Sequence, residues 1–447
     1  MDKQPGKRAR RKRSGEKTIK FRCDYSSTPL RVLESRGWTR VSDTSWDLWW
    51  CDCSEVKLAL HNLQRLRAQQ RVAHFLNHGE LTRKNLLYRN LRRYKRLLLK
   101  AGKSREAALC DIMPVSFELP SEYRMLVEEY RRCQGATWIV KPAAGSQGRG
   151  IFLFRRLRDL AEWRSREYPA PSADSNSDGE GLAAPDVYIV QKYIDEPYLL
   201  AGCKFDLRIY VLVTSFQPLK VWLAREGFAR LSGEQFSLAR IDDSRVHLTN
   251  MAIQLKAADG RPARRPARPS ADRDCERTAP PARLGSKWPL SCLRQYLTER
   301  HGPAVVDDLL HNIAGMIMAS LAAVQRSVVA CQNSFELYGY DVLLDKALRP
   351  WLLEVNASPS LNATDAHDFR LKFDLVDDVL NVLDLERKLT GRETRVGGFD
   401  LLWDDAPVYC PVQPDKLNVF LGACNDRLDQ LQALNSQLQA CSRSPLD

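Results

Sequence analysis

Residues Leu348–Leu361 read LRPWLLEVNASPSL, and the placement of two polar residues in this apolar run decides how the chain is read. The run predicts a strand. Side chains alternate along a strand, so Glu354 and Asn356 share one face with Leu352, while Trp351, Leu353 and Val355 take the other. A carboxylate and an amide at the end of an apolar strand are costly to bury unpaired. A bound metal is one partner that removes the cost. Upstream, ELYGYDVLLD (Glu336–Asp345) and the turn KALR lead into this strand. If Leu344 faces Trp351 in an antiparallel hairpin, counting back puts Asp341 opposite Glu354. Asp341, Glu354 and Asn356 then form a set of hard oxygen donors suited to Mg²⁺ that also holds phosphate oxygens. A carboxylate pair satisfied by turn backbone is the alternative.

Phosphate handling has its own candidate in IVKPAAGSQGRGIFLF (Ile139–Phe154). It reads as a strand ending at Lys141, a small-residue loop and a second strand. Gly145, Gly148 and Gly150 let backbone N–H groups approach phosphate closely, and Lys141 and Arg149 add charge. No Gly-Lys-Ser/Thr closes the loop and no helix follows, which excludes the two common helix-opening phosphate loops. In KFDLRIYV, the charged Lys204, Asp206 and Arg208 alternate with Phe205, Leu207 and Ile209. That pattern fits an exposed edge strand or a charged cleft wall. RVHLTN reads as the end of a strand, with Thr249 and Asn250 as small polar groups and His247 as a structural histidine. His74 and His78 are spaced i, i+4 without the Glu of a zinc-protease motif, and read as packing residues.

With 447 residues, 44% hydrophobic and 28% charged, the chain is long enough for two or three subdomains around a substantial core. The net charge of +13 points to an acidic partner: nucleic acid, an anionic membrane, an acidic protein tail or nucleotide phosphates. The opening run KQPGKRARRKRSGEK carries part of it and reads as a disordered basic arm. The twelve cysteines include no Cys-x-x-Cys pair, which fits reduced thiols in the cytoplasm; Cys51 and Cys53 read as core thiols rather than ligands. No signal peptide is expected at the start. The apolar run IAGMIMASLAAV reads as a buried helix too short to span a bilayer.

Strands mix with helices without regular βαβ alternation, so the class expected is α+β. TIKFRC and SWDLWWCDC read as strands, LTRKNLLYRNLRRYKRLLLKAG as a basic helix stopped by glycine, and PSEYRMLVEEYRR as a shorter helix. TWIVKP, VYIVQKYI, KFDLRIYVLVTSF and LKVWLAREGFARL read as further strands. Residues 167–186 and 257–285 are Ser/Asp/Gly/Pro-rich and Pro/Arg-rich low complexity, expected as exposed insertions.

The segments KPAAGSQGRGIFLF, QKYI, KFDLRIYVLV, HLTN, FELYGYDVLLD and PWLLEVNASPSL occur in the order found in the tubulin tyrosine ligase-like family, which the chain resembles from about Lys20 to Asp426. HFLNHGELTRKN and LTGRETRVGGFDLLW narrow the resemblance to short members of its tubulin polyglutamylase branch. The resemblance implies an ATP-grasp-type fold. Its expected division is a basic arm (1–19), an N-terminal domain (20–110), a central domain (111–225), a C-terminal domain with the Mg²⁺ site (226–400) and a tail (401–447). It implies an ATP-dependent ligase that attaches free glutamate to glutamate side chains of tubulin tails. Lys141, Gln147, Gly148, Arg149, Gly150, Thr249 and Asn250 would hold ATP. Gln191, Lys192, Tyr193 and Ile194 would border the adenine, with Lys204 and Asp206 completing the nucleotide site. Asp341, Glu354 and Asn356 would bind two Mg²⁺ ions. Arg230, Lys287 and Lys372 would grip the incoming glutamate, Gln147 would touch the acceptor, and Arg208 would stabilise the tetrahedral oxyanion. Ala357 departs from the pattern, because several polyglutamylases carry a His there. The implied setting is the cytoplasm and cytoskeleton, at basal body and axoneme, with microtubules and a multi-subunit polyglutamylase complex as partners. A glycylase of the same family, a non-catalytic axonemal scaffold and nucleic-acid binding through the basic arm are the competing readings.

Overall fold

The computed structural model describes residues 18–55, 66–145, 148–167, 187–250, 253–254 and 287–441. The basic arm up to residue 17, nearly all of both low-complexity segments, and Gln147 lie outside the described residues.

Two sheets carry the fold. The larger is mixed and has twelve strands. At its centre Cys203–Phe216 is flanked by Leu219–Gln235 and Ser334–Leu344, both antiparallel to it. Ser334–Leu344 also pairs antiparallel with Pro350–Asn356 and, at its start, parallel with Arg71–Ala73. Parallel strands Leu48–Trp50, Lys20–Cys23 and Thr39–Arg40 continue the sheet outward. The smaller, four-stranded sheet runs Ser116–Leu119, Tyr188–Lys192, Trp138–Pro142 and Phe152–Phe154, all antiparallel. The domain boundaries expected at 225/226 and 400/401 fall inside strands Leu219–Gln235 and Phe399–Asp404, which pair with each other in the large sheet.

Alternation along the central strands buries both faces. Phe205, Leu207, Ile209, Val211 and Val213 pack with Tyr338, Tyr340 and Val342 against helices Leu290–His301 and Pro303–Val324. Tyr210 and Leu212 join Phe335, Leu337, Trp46, Leu48 and Trp50 on the other face, beneath helix Ala366–Leu383. Each such side chain contributes about 1.5–3 kcal/mol by leaving water, so the sheet is held from both sides. Helix Pro303–Val324 corrects one expectation. It has 22 residues and is long and apolar enough to cross a membrane, longer than its apolar run indicated. Its Leu309, Ile313, Ile317 and Leu321 nevertheless lie in the core.

Helix Lys84–Lys100 ends before Gly102, whose φ of 73° is the left-handed geometry that a glycine stop supplies. Its basic face is partly neutralised: Arg89 meets Glu118 at 2.9 Å and Arg92 meets Glu122 at 2.8 Å. RVHLTN does not end a strand. Ser244–His247 forms one helical turn, capped by the Asp243 carboxylate accepting from the Arg245 N–H.

The late hairpin differs from expectation by one residue. Leu344 pairs with Pro350 and Leu343 with Trp351, and an irregularity between Asp341 and Val342 then restores Asp341 opposite Glu354. Leu353 is the extra residue. It breaks the alternation, so Leu352 enters the core instead of sharing a face with Glu354.

Strand Leu219–Gln235 lies so close to its neighbour at Gly227 that an added Cβ would collide with the Arg208 carbonyl oxygen and lie 2.9 Å from Leu290 Cδ1. Gly227→Ala is expected to cost about 1–3 kcal/mol as overpacking, read as a lower urea midpoint. Gly315, inside helix Pro303–Val324, has nothing within 4 Å of an added Cβ, so Gly315→Ala should stabilise by about 0.5–1 kcal/mol. Equal midpoints for the two variants would contradict this packing.

Candidate active site

The two sheets face each other across a cleft of about 840 Å³. From the small sheet it receives Lys141, Gln191 and Lys192, followed by Tyr193 and Ile194; from the glycine loop, Gly148 and Arg149. The large sheet contributes Lys204, Asp206, Arg230, Asp341 and Glu354, and Thr249 and Asn250 close one end. Ile139, Pro142, Ile151, Leu248, Leu343 and Leu353 give the cleft apolar walls suited to a planar ring.

The charges along KFDLRIYV do not lie on an exposed edge. Cys203–Phe216 is a central strand, and Lys204, Asp206 and Arg208 are all buried. Buried charges need partners. Arg208 Nε donates to Asp341 Oδ1 at 2.5 Å, and the Arg230 guanidinium reaches Asp341 Oδ2 at 2.8 Å. Arg230 Nε also donates to Asp206 at 2.8 Å. Burial raises the Asp341 carboxyl, but the Arg208 and Arg230 guanidiniums outweigh it and hold it below the usual carboxylate range. Asn356 Nδ2 lies 3.4 Å from Asp341 Oδ2 and 3.5 Å from Glu354 Oε1. All three expected metal ligands therefore converge. Asn356 faces both carboxylates through its amide nitrogen; two carboxylates, with the amide turned to present its oxygen, would be the hard donor set a Mg²⁺ ion takes from protein before phosphate and water complete its shell.

Lys84 was not singled out in the sequence, although it sits in the noted run LTRKN. It is buried at the start of its helix, meets Glu354 Oε2 at 2.7 Å and reaches the Gly145 carbonyl at 3.4 Å. Lys141 donates to Gln191 Oε1 at 2.8 Å, and Lys204 to the Tyr193 hydroxyl at 2.8 Å. Burial, with Lys84 beside it, lowers Lys141 to about 8; burial, with Lys141 beside it, lowers Lys204 to about 7. His247 is satisfied on both ring nitrogens, by Tyr193 at 2.9 Å and the Arg240 carbonyl at 2.9 Å. Gly148 approaches Asn250 so closely that an added Cβ would lie 3.2 Å from its Oδ1. The glycine loop thus runs close beside Asn250 and Ile253, with no room there for a side chain.

Several expected residues stand apart. Gly150, Arg208 and Asn356 do not line the cleft wall. Lys287 and Lys372 both converge on Asp368 Oδ2, at 2.7 and 2.9 Å. Arg230 pairs with Lys287 across adjacent strands, yet its guanidinium is turned onto Asp206 and Asp341. Asp368 Oδ1 is buried with no hydrogen-bond partner among the described residues. Each of the three expected glutamate-gripping cations is thus already paired.

Six cations (Lys84, Lys141, Arg149, Lys192, Lys204 and Arg230) line the cleft against three carboxylates (Asp206, Asp341 and Glu354). That excess suits a polyphosphate carrying a divalent cation.

Comparison with known proteins agrees in kind. Residues 62–390 match the tubulin-tyrosine ligase family. A Mus musculus protein named probable tubulin polyglutamylase TTLL9 is 42% identical, over 96% of this chain and 94% of its own. A Caenorhabditis elegans protein named probable tubulin polyglutamylase ttll-9 is 40% identical, over 88% of this chain and 86% of its own. A Tetrahymena thermophila protein named probable alpha-tubulin polyglutamylase Ttll1 is 36% identical, over 87% and 94%.

The two depressed lysines make a pH prediction. A bound polyphosphate favours their charged forms, so binding takes up protons where the pH lies between each lysine's free value, about 8 and about 7, and its raised bound value. Triphosphate affinity should therefore fall as pH rises from about 7 to about 9, by up to about tenfold per pH unit per lysine. Calorimetry in buffers of different ionisation heat reads both affinity and proton uptake; pH-independent affinity without uptake would contradict the burial of Lys141 and Lys204.

Proposed function

We propose, for a chain that belongs to the tubulin-tyrosine ligase family, that the cleft uses ATP and Mg²⁺ to join free glutamate to side-chain carboxylates of tubulin tails, as a tubulin polyglutamylase. The observation that carries the reading is the convergence of Asp341, Glu354 and Asn356 beside the buried ammonium groups of Lys84, Lys141 and Lys204. The identities to polyglutamylase-named relatives favour glutamate over glycine as the added amino acid, and catalysis over a scaffold role.

In this reading the adenine occupies the apolar part of the cleft beside Gln191–Ile194, and the phosphates meet Lys141, Lys204, Gly148 and Arg149. Thr249 and Asn250 hold the ribose and phosphate end. Asp341, Glu354 and Asn356 hold Mg²⁺, in two ions, which neutralises charge on the phosphate oxygens. A carboxylate is a poor electrophile, so it is activated first: its oxygen attacks the γ-phosphorus and ADP leaves. The glutamate amine, having lost a proton, attacks the acyl carbon; phosphate leaves and an isopeptide bond remains. Lys84, Lys141 and Arg149 offset charge at the transferring group, and Arg208 keeps Asp341 ionised and oriented. Arg230, Lys287 and Lys372 receive the incoming glutamate, Lys287 and Lys372 by exchanging Asp368 for a substrate carboxylate and Arg230 while keeping its bonds to Asp206 and Asp341. The place of action is the microtubule cytoskeleton, including axoneme and basal body, with a multi-subunit complex as an alternative working form.

The test is purified chain with microtubules, ATP and labelled glutamate, with labelled glycine in parallel. Glutamate incorporation is expected, glycine incorporation is not. Glu354→Gln should lower incorporation at least about a hundredfold while the thermal melt stays native. A folded Glu354→Gln protein with full incorporation would overturn the assignment.

A further inference from the structure

A second cluster of chemistry-bearing side chains lies away from the cleft. Cys53 Sγ, a ring nitrogen of His78 and a carboxylate oxygen of Glu336 lie within 4.8 Å of one another. Glu336 is buried on the same strand as Asp341, about 17 Å from it at the rise of an extended strand. Three separate parts of the chain thus meet: the loop after Leu48–Trp50, the segment before helix Lys84–Lys100, and the core strand.

We propose that Cys53, His78 and Glu336 form a Zn²⁺ site, with His74 as the group that orients the carboxylate. A thiolate, an imidazole and a carboxylate are the ligand types Zn²⁺ takes, and Mg²⁺ does not favour sulfur or imidazole. Zinc bonds of about 2.0–2.3 Å in a tetrahedron put ligand atoms about 3.5 Å apart, so small side-chain rotations close the set. One divalent ion, one thiolate, one carboxylate and a neutral His78 imidazole sum to zero, while His74, whose two ring nitrogens face Glu336 Oε1 and the Cys51 carbonyl, adds one positive charge beside them. On binding, the Cys53 thiol gives its proton to solvent and its sulfur lone pair to the metal.

His74 supplies the outer contact that zinc sites commonly carry. Its Nδ1 is 2.8 Å from Glu336 Oε1, and the Phe75 N–H donates to Glu336 Oε2 at 3.1 Å. The backbone pays attention to this arrangement only at a cost: His74 and Asn77 have φ of 74° and 60°, the left-handed region that non-glycine residues rarely occupy. Strained backbone held between two histidines is where a ligand-binding role is to be sought. Cys53 and His78 are half-exposed, which leaves an entry path. Ser358, two positions after Asn356, touches Cys53 Sγ at 3.1 Å, so an occupied site would also fix the loop that leaves the candidate active site.

The test uses the full chain, stripped with chelator and then titrated with Co²⁺ as a spectroscopic stand-in, and with Zn²⁺ against a chromophoric chelator. One equivalent is expected, with a thiolate-to-cobalt charge-transfer band that excess Mg²⁺ leaves unchanged. Cys53→Ser should lose the band. His78→Gln should weaken Zn²⁺ binding beyond the roughly tenfold expected of His74→Gln. Cys424→Ser, which alters an exposed thiol, should leave both readouts unchanged. No band in the native chain, or a band that survives Cys53→Ser, would overturn the proposal. Should Cys53→Ser fail to fold, alkylation of the native chain decides: Zn²⁺ should slow modification of Cys53, mapped by peptide mass, and an unchanged rate would reject the site.

Discussion

A charge buried at the middle of a sheet sets the terms for everything around it. Asp341 lies on a central strand with apolar neighbours before and after it, and it is stable there only because Arg208 and Arg230 are aimed at it from two adjoining strands. Removing one member of such a set leaves an uncompensated charge and costs about 3–5 kcal/mol. The three strands are therefore locked in register by their polar residues as well as by their apolar ones. Arg208 stands directly across from Asp341 in the ladder, and Arg230 directly across from Asp206. A slip of one residue would point each side chain to the opposite face and break every pair at once.

This coupling explains why so much was legible locally and why particular parts were not. Apolar alternation in KFDLRIYVLV and the glycine stop of the basic helix identify their elements from a few neighbouring residues, and the structure has both. Alternation cannot say whether a strand is central or at an edge, because that depends on partners far along the chain. The charged face of Cys203–Phe216 is the example: it is enclosed by Leu219–Gln235 and Ser334–Leu344, which no local pattern reveals. The irregularity at Leu353 is equally silent, since Leu is at home in a regular strand. Counting through it as regular gave the wrong partner for Leu344 and the right one for Asp341, because the extra residue falls between them.

Lys84 shows the same limit in the site. Its helix reads as a basic solvated face, and nothing at that position distinguishes a buried lysine from the exposed ones near it. Only the contact with Glu354, from the other end of the chain, does so. The i, i+4 spacing of His74 and His78 lacks a familiar motif and reads as packing, and Cys53 reads as a core thiol. Their convergence on Glu336 comes from strand Arg71–Ala73 pairing with the start of Ser334–Leu344.

The two ends of Ser334–Leu344 thus do different electrostatic work. Near Glu336 the proposed ion would meet two anions within a few ångströms, with the His74 imidazolium beside the carboxylate. Near Asp341 the charges do not cancel: six basic side chains face three carboxylates, and burial lowers two of the lysines towards neutral pH. The lowered values reduce the cost of enclosing those amines among low-dielectric walls. A polyanion that enters then recharges them, and the attraction grows as it binds. The net charge of +13 draws acidic molecules from a distance, where salt screens it. The buried lysines act at contact, where screening is weak, and so phosphate selectivity in the proposed reaction would rest on them rather than on the overall charge.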